Sequence, residues 1–137
     1  MPYEIHIARP ISEAAAAALP KGDFLPAAAR FRELKAEVAF SLNEWIAAVE
    51  ATPNARIVQG AQVTLSDGTR MAVKPGAVEV LVDGAWTYAM RFQNGTGIFN
   101  VAGWMDVPSD PRRKAAAAIA NKLGAEIRND DAELYEW

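Results

Sequence analysis

The stretch VEVLVDGAWTYAMRFQNGTGIFNV, residues 78–101, decides the fold. It contains two turn dipeptides, Asp83-Gly84 and Asn94-Gly95, each between runs rich in β-branched and aromatic residues. Aspartate or asparagine followed by glycine tolerates the positive φ angles of a two-residue hairpin turn, so each dipeptide predicts a reversal between antiparallel strands. A third, Asp67-Gly68, lies upstream between Val63-Leu65 and Thr69–Val73. Three in succession predict an antiparallel meander. Within it, Trp86, Tyr88, Met90 and Phe92 alternate with Thr87, Ala89, Arg91 and Gln93. The first set is expected to face a layer of helices and the second to face water or a partner.

The flanking segments supply those helices. Ser41-Leu42-Asn43-Glu44 is a capping box, and Phe40 and Trp45 are spaced for a hydrophobic staple. Leu42, Trp45, Ile46 and Val49 then fall on one stripe, predicting a helix over 41–51 that Thr52-Pro53-Asn54 ends. Asp110 caps a second helix with Pro111 at its first position. Its buried stripe is Ala116, Ile119, Ala120 and Leu123, and Gly124 closes it. Tyr3 to Arg9 alternates as a strand, with Ile5 and Ile7 opposite His6, and Pro10 stops it.

Residues 10–40 read as a helical insertion. Ser12 caps an alanine-rich helix ending before Pro20, and Lys21-Gly22-Asp23 makes a turn. A longer helix from about Pro26 carries Phe31, Leu34 and Val38 on one face. Ala125 to Arg128 predicts a last short strand. The expectation is a single α+β domain over residues 1–137: an antiparallel β-meander with two or more helices packed across one face.

Composition narrows the function by exclusion. With no cysteine and one histidine among 137 residues, thiolate zinc sites, cysteine nucleophiles and paired-histidine metal sites are ruled out. Ser12, Ser41, Ser66 and Ser109 all sit at cap or turn positions. Asn94-Gly95-Thr96-Gly97 reads as a hairpin turn rather than a phosphate loop. No catalytic set and no cofactor are expected. The N-terminal residues lack the charged and apolar regions of a signal peptide, and Ala14–Leu19 is too short to span a bilayer, so a cytoplasmic protein is expected. Arg112-Arg113-Lys114 is the sole basic cluster, too little for a nucleic-acid partner; a solvated surface compensated by Asp106 and Asp110 accounts for it.

The charge is nonetheless uneven. Residues 125–137 hold five of the 17 acids and one of the 14 bases, which leaves 12 acids and 13 bases over residues 1–124. Asp130, Asp131, Glu133 and Glu136 can be a solvated end, a protein-binding surface or ligands for a hard cation, although their spacing matches no cation-binding loop. Tyr135 and Trp137, set among these acids, either fold back onto the sheet or anchor a partner.

Four stretches carry a resemblance: Tyr3 to Ile7, Ser41-Leu42-Asn43-Glu44-Trp45, Ile119 to Ala125, and Asp130-Asp131-Ala132-Glu133-Leu134-Tyr135. Through them the chain resembles a widespread group of small bacterial proteins akin to the immunity proteins of toxin systems. It departs from the group in a longer segment between Pro10 and Phe40, and in Ala132, where a glycine is common. The resemblance implies an inhibitor that binds a cytosol-acting toxin or effector enzyme with a basic surface. The candidate contact residues are Asp130, Asp131, Glu133, Tyr135, Glu136 and Trp137. The alternatives are a non-inhibitory adaptor or subunit, and a small enzyme working with carboxylates such as Asp130 and Glu133. One local reading is directly testable: Ser41→Ala should lower stability by about 1 kcal/mol, seen as a lower urea midpoint at unchanged slope.

Overall fold

The computed structural model describes residues 3–22, 24–65 and 67–137; Asp23 of the expected turn and the capping role expected of Ser66 lie outside them. The chain runs β1 (Glu4–Ala8), α1 (Glu13–Ala17), α2 (Phe24–Val38), α3 (Leu42–Glu50), β2 (Ala55–Ile57), β3 (Gln62–Thr64) and β4 (Arg70–Ala72). It continues through β5 (Val78–Val82), β6 (Ala85–Gln93), β7 (Thr96–Asn100), a 3₁₀ turn (Gly103–Asp106), α4 (Pro111–Leu123), β8 (Glu126–Asn129) and β9 (Leu134–Tyr135). Seven strands form one sheet in the order β2-β5-β6-β7-β1-β8-β9, with antiparallel pairing throughout. The α+β expectation holds. No helix among the described residues is long and apolar enough to cross a membrane.

The two dipeptides of the deciding stretch turn as expected. Val82 pairs with Ala85 and Gln93 with Thr96, and Asp83, Gly84, Asn94 and Gly95 all have positive φ. Asp67-Gly68 also reverses the chain, but its strands β3 and β4 form a separate two-stranded sheet. The meander proper is therefore β5-β6-β7. The N-terminal strand β1 extends it by inserting between β7 and β8.

The core lies between this sheet and α3 and α4. Ile5, Ile7, Val78, Val80, Met90 and Ile127 meet Trp45, Val49, Ala116 and Ile119 there. At its centre is Trp45, with no exposed surface. Its ring lies nearly parallel to that of Phe40, 5.9 Å away and 7° apart, so the predicted staple is present. Its indole N–H donates to the Gly76 carbonyl at 2.8 Å. Its far edge rests on Gly97, where an added Cβ would meet ring carbons at 2.4 Å. Burying an indole removes roughly 200 Å² from water, roughly 5 kcal/mol of transfer free energy.

The capping box forms as read. The Glu44 amide donates to the Ser41 hydroxyl and the Ser41 amide to Glu44 Oε1, both at 3.1 Å. Arg9, leaving β1, donates to Glu44 Oε2 at 2.6 Å and to the Leu123 carbonyl at 2.7 Å. Its guanidinium also lies 5.7 Å from the Phe40 ring centroid. One side chain thus ties β1 to the start of α3 and the end of α4. Hydrogen bonds from Arg9 and the Ser41 amide hold the Glu44 carboxyl below its ordinary range.

The facing of β6 differs from expectation in its first half. Val78 pairs with Met90 but Glu79 pairs with Tyr88, so Ala89 is the extra residue of a β-bulge. An inserted residue in a period of two sends everything before it to the other side. Met90 and Phe92 face the helices, as expected. Trp86 and Tyr88 do not. Trp86 pairs with Leu81, is 36% exposed, and stacks under the Arg56 guanidinium at 4.1 Å.

The long insertion helix α2 buries Leu34 but leaves Phe31 45% exposed. It does not join α3 and α4; it lies beside β1 and the β6–β7 turn, where the Phe40 amide donates to the Gly95 carbonyl at 3.3 Å.

Gly97→Ala should lower stability by about 1–3 kcal/mol, because the indole of Trp45 cannot yield to a methyl group at that distance. Gly103→Ala, with nothing within 4 Å of the added carbon, is the control and should leave the urea midpoint in place. Equal midpoints for the two variants would mean that Trp45 is free to shift.

Candidate functional site

The acidic end is a built structure rather than a free tail. Asn129, 6% exposed, accepts the amides of Asp131 and Glu133 on its Oδ1, both at 2.9 Å. Its Nδ2 donates to Glu133 Oε2 at 3.1 Å and to the Tyr135 hydroxyl at 3.2 Å. The result is a tight reversal between β8 and β9, closed by Arg128 donating to the Ala132 carbonyl at 2.7 Å. Asparagine is suited to this work because its side chain substitutes for a backbone turn.

The first strand pins this turn. Asp130 accepts the Glu4 amide at 2.9 Å and meets His6 Nε2 at 2.9 Å, while Tyr3 donates its hydroxyl to Asp131 at 2.6 Å. The Glu4 amide, then His6, lowers the Asp130 pKa. The Tyr3 phenol, donating to a carboxylate, is pushed up to about 12.

The six candidate contact residues therefore do not share one surface. Tyr135 and Trp137 fold back to the helix side, with Trp137 against Phe99 and Trp104 at 6.1 and 6.2 Å. Asp130 lies on the opposite face of the sheet, while Asp131, Glu133 and Glu136 are exposed around the turn. The basic triplet is also largely committed. Arg112 forks onto Asp110 at 2.8 and 2.9 Å, and Arg113 donates to the Met105 carbonyl and stacks on Trp137 at 5.1 Å. Asp110 supplies the expected compensation, and Lys114 is left exposed.

On the face away from α3 and α4, side chains from four neighbouring strands come together. His6 pairs with Ile98 on one side and with Arg128 on the other. Glu4 bonds Arg91, and Arg128 bonds Glu126. Helix α2 borders this face. Between them runs a groove of about 530 Å³ with Phe31 and Lys35 on one wall, His6, Ala8 and Arg128 on its floor, and Asp130 and Ala132 at the far end. A second cleft, of about 520 Å³, opens where β6 and β7 diverge beyond the bulge, lined by Tyr88, Arg91, Asn100 and Trp104.

Sequence reading missed the partners that matter here: Glu4, His6, Arg91 and Asn129. The one available signal was alternation in β1, which puts Glu4 and His6 on the same side. Nothing local announced that this side of the strand would meet the acidic turn.

No family model matches the chain, and neither a curated protein nor a solved structure does so.

Ala132 has φ of 63°, the left-handed region in which glycine carries no steric penalty. Ala132→Gly should therefore raise stability by about 0.5–1 kcal/mol, even though glycine is more flexible when unfolded. A fall in the urea midpoint would mean that this turn relaxes out of the left-handed conformation.

Proposed function

We propose that this protein is an immunity-type inhibitor that binds and neutralises a cytosol-acting bacterial toxin or effector enzyme. The observation that carries the reading is the groove under α2. An insertion helix that leaves Phe31 45% exposed on the wall of a groove floored by His6, Ala8 and Arg128 is poorly explained by folding alone. An exposed aromatic side chain beside charged groups supports a docking role, since aromatic anchors ringed by polar groups recur in interfaces. The far end of the groove reaches Asp130, at the start of the acidic turn, which favours a partner with a basic surface. Such an inhibitor needs no chemistry of its own, because covering the partner's active cleft is enough.

The adaptor alternative uses the same surface without loss of partner activity. The reading as a small carboxylate enzyme has one observation in its favour, the exposed His6–Asp130 pair at 2.9 Å. The second carboxylate it invoked, Glu133, is held by Asn129 at 3.1 Å instead.

The test is to identify the partner by pull-down, assay its activity with stoichiometric inhibitor, and measure kinetics for two variants. Glu136→Lys should slow association several-fold at low salt, with the difference shrinking at high salt. Stability should change little, because exposed charges contribute little to it. Phe31→Ala should instead speed dissociation about tenfold. A partner that stays fully active when saturated moves the protein to the adaptor class. Kinetics identical to the parent chain in both variants remove this surface as the interface.

A further inference from the structure

We infer that Glu4, His6 and Asp130 form a binding site for a borderline divalent cation of the zinc, nickel or cobalt type. One ligand atom from each of the three lies within 4.8 Å of those of the other two. The strands create this juxtaposition: Glu4 and His6 are two apart on β1 and share a face, and Asp130 follows β8, the neighbour of β1. One imidazole nitrogen and two carboxylate oxygens make a mixed N/O set, which suits these ions better than the all-oxygen preference of calcium or magnesium. Adjacent ligands about 2.1 Å from an ion stand roughly 3.4 Å apart in a tetrahedron. His6 Nε2 and Asp130 Oδ1, at 2.9 Å, are already near that spacing.

Each carboxylate is also held by one oxygen, and Asp130 Oδ1 is engaged only by His6, a contact that the shared ion replaces. Arg91 takes Glu4 Oε2, and the Glu4 amide takes Asp130 Oδ2. This is the work that surrounding groups perform at metal sites, fixing the ligands before the ion arrives. Arg128, the other cation beside His6, bonds Glu126 and the Ala132 carbonyl instead. His6 and Asp130 line the groove under α2, so an ion has an open approach and water can complete its coordination. This inference stands apart from the partner reading, since the ligands belong to this chain alone.

The experiment uses the full chain, stripped of metal by dialysis against chelator, at pH 7.5. Zinc is titrated by calorimetry and, in parallel, against ¹⁵N-labelled protein. His6 is the sole histidine, so one imidazole reports without assignment. The expected result is one equivalent bound and the imidazole signal moved to the Nε2-ligated pattern. His6→Gln should weaken binding at least tenfold. Arg91→Ala, which frees Glu4 without removing a ligand, should weaken it by about tenfold. Glu4→Gln, which keeps the shape and the amide bond to Asp130, serves if His6→Gln fails to fold, and should also weaken binding. Glu50→Gln, at the exposed end of α3, should bind as the parent chain does. An unmoved imidazole at millimolar zinc overturns the assignment. So does binding that survives both His6→Gln and Glu4→Gln, since the ion would then sit elsewhere on the acidic end.

Discussion

The fold depends on one flat ring resting against one missing side chain. Trp45 sits over Gly97, so α3 approaches the middle of the sheet more closely than any residue with a Cβ would allow. The ring is held from its other sides by Phe40, by Phe92 at 6.2 Å and by the Gly76 carbonyl. Each contact comes from a different part of the chain, so placing the indole also places the β5 approach, the β6–β7 hairpin and the entry to α3. Arg9 reinforces the same corner from outside. It bonds a carboxylate already held by the cap of α3, so helix start and strand end are fixed together. A single substitution there disturbs several elements at once, as expected of interlocked contacts.

What could be read from the sequence was what neighbours in sequence decide. The capping box at Ser41, the cap at Asp110 and the turns at Asp83-Gly84 and Asn94-Gly95 are satisfied within a few residues. So is the staple of Phe40 and Trp45. The bulge at Ala89 was not legible, because alternation runs unbroken through residues 86–93 and nothing in it marks an extra residue. It becomes visible only in the pairing with β5, where Val78 and Glu79 skip a partner. The separate β3–β4 sheet escaped for a similar reason: a turn dipeptide predicts a hairpin but not which sheet the hairpin joins. The placement of α2 rests on long-range contacts by Leu34 and the β6–β7 turn, which its weak apolar stripe could not specify.

The candidate site was half legible. Charge counting found the acidic end, and the fold-back of Tyr135 and Trp137 was one of two readings open for them. Its internal order was hidden, because it depends on Asn129 organising the turn and on β1 arriving from the far end of the chain to hold it. A cluster that looked like excess charge proves to be largely committed to structure. Asp130 is held by two groups of β1 and Asp131 by Tyr3, which leaves Glu136 and the outer side of Glu133 as the parts of the turn most open to a partner.

That commitment explains how the two faces of the sheet divide their work. On the helix side, Ile5, Ile7 and Ile127 are buried, and no buried side-chain nitrogen or oxygen lacks a partner among the described residues. On the other side the same strands carry Arg91–Glu4, His6–Asp130 and Arg128–Glu126, each pair joining two strands or bracing one. Ion pairs this exposed add little to stability singly. Their number is therefore a poor explanation for the fold and a better one for the surface. A face needed only for solubility would tolerate any polar residues in any order. Here Arg91 reaches Glu4 across the uncharged β7 and Arg128 braces Glu126 within β8, beside a groove that α2 and Phe31 border. Side chains already held in one geometry lose less entropy in any contact made there. The same constraint that holds the acidic turn to β1 thus keeps the side chains of this face in order.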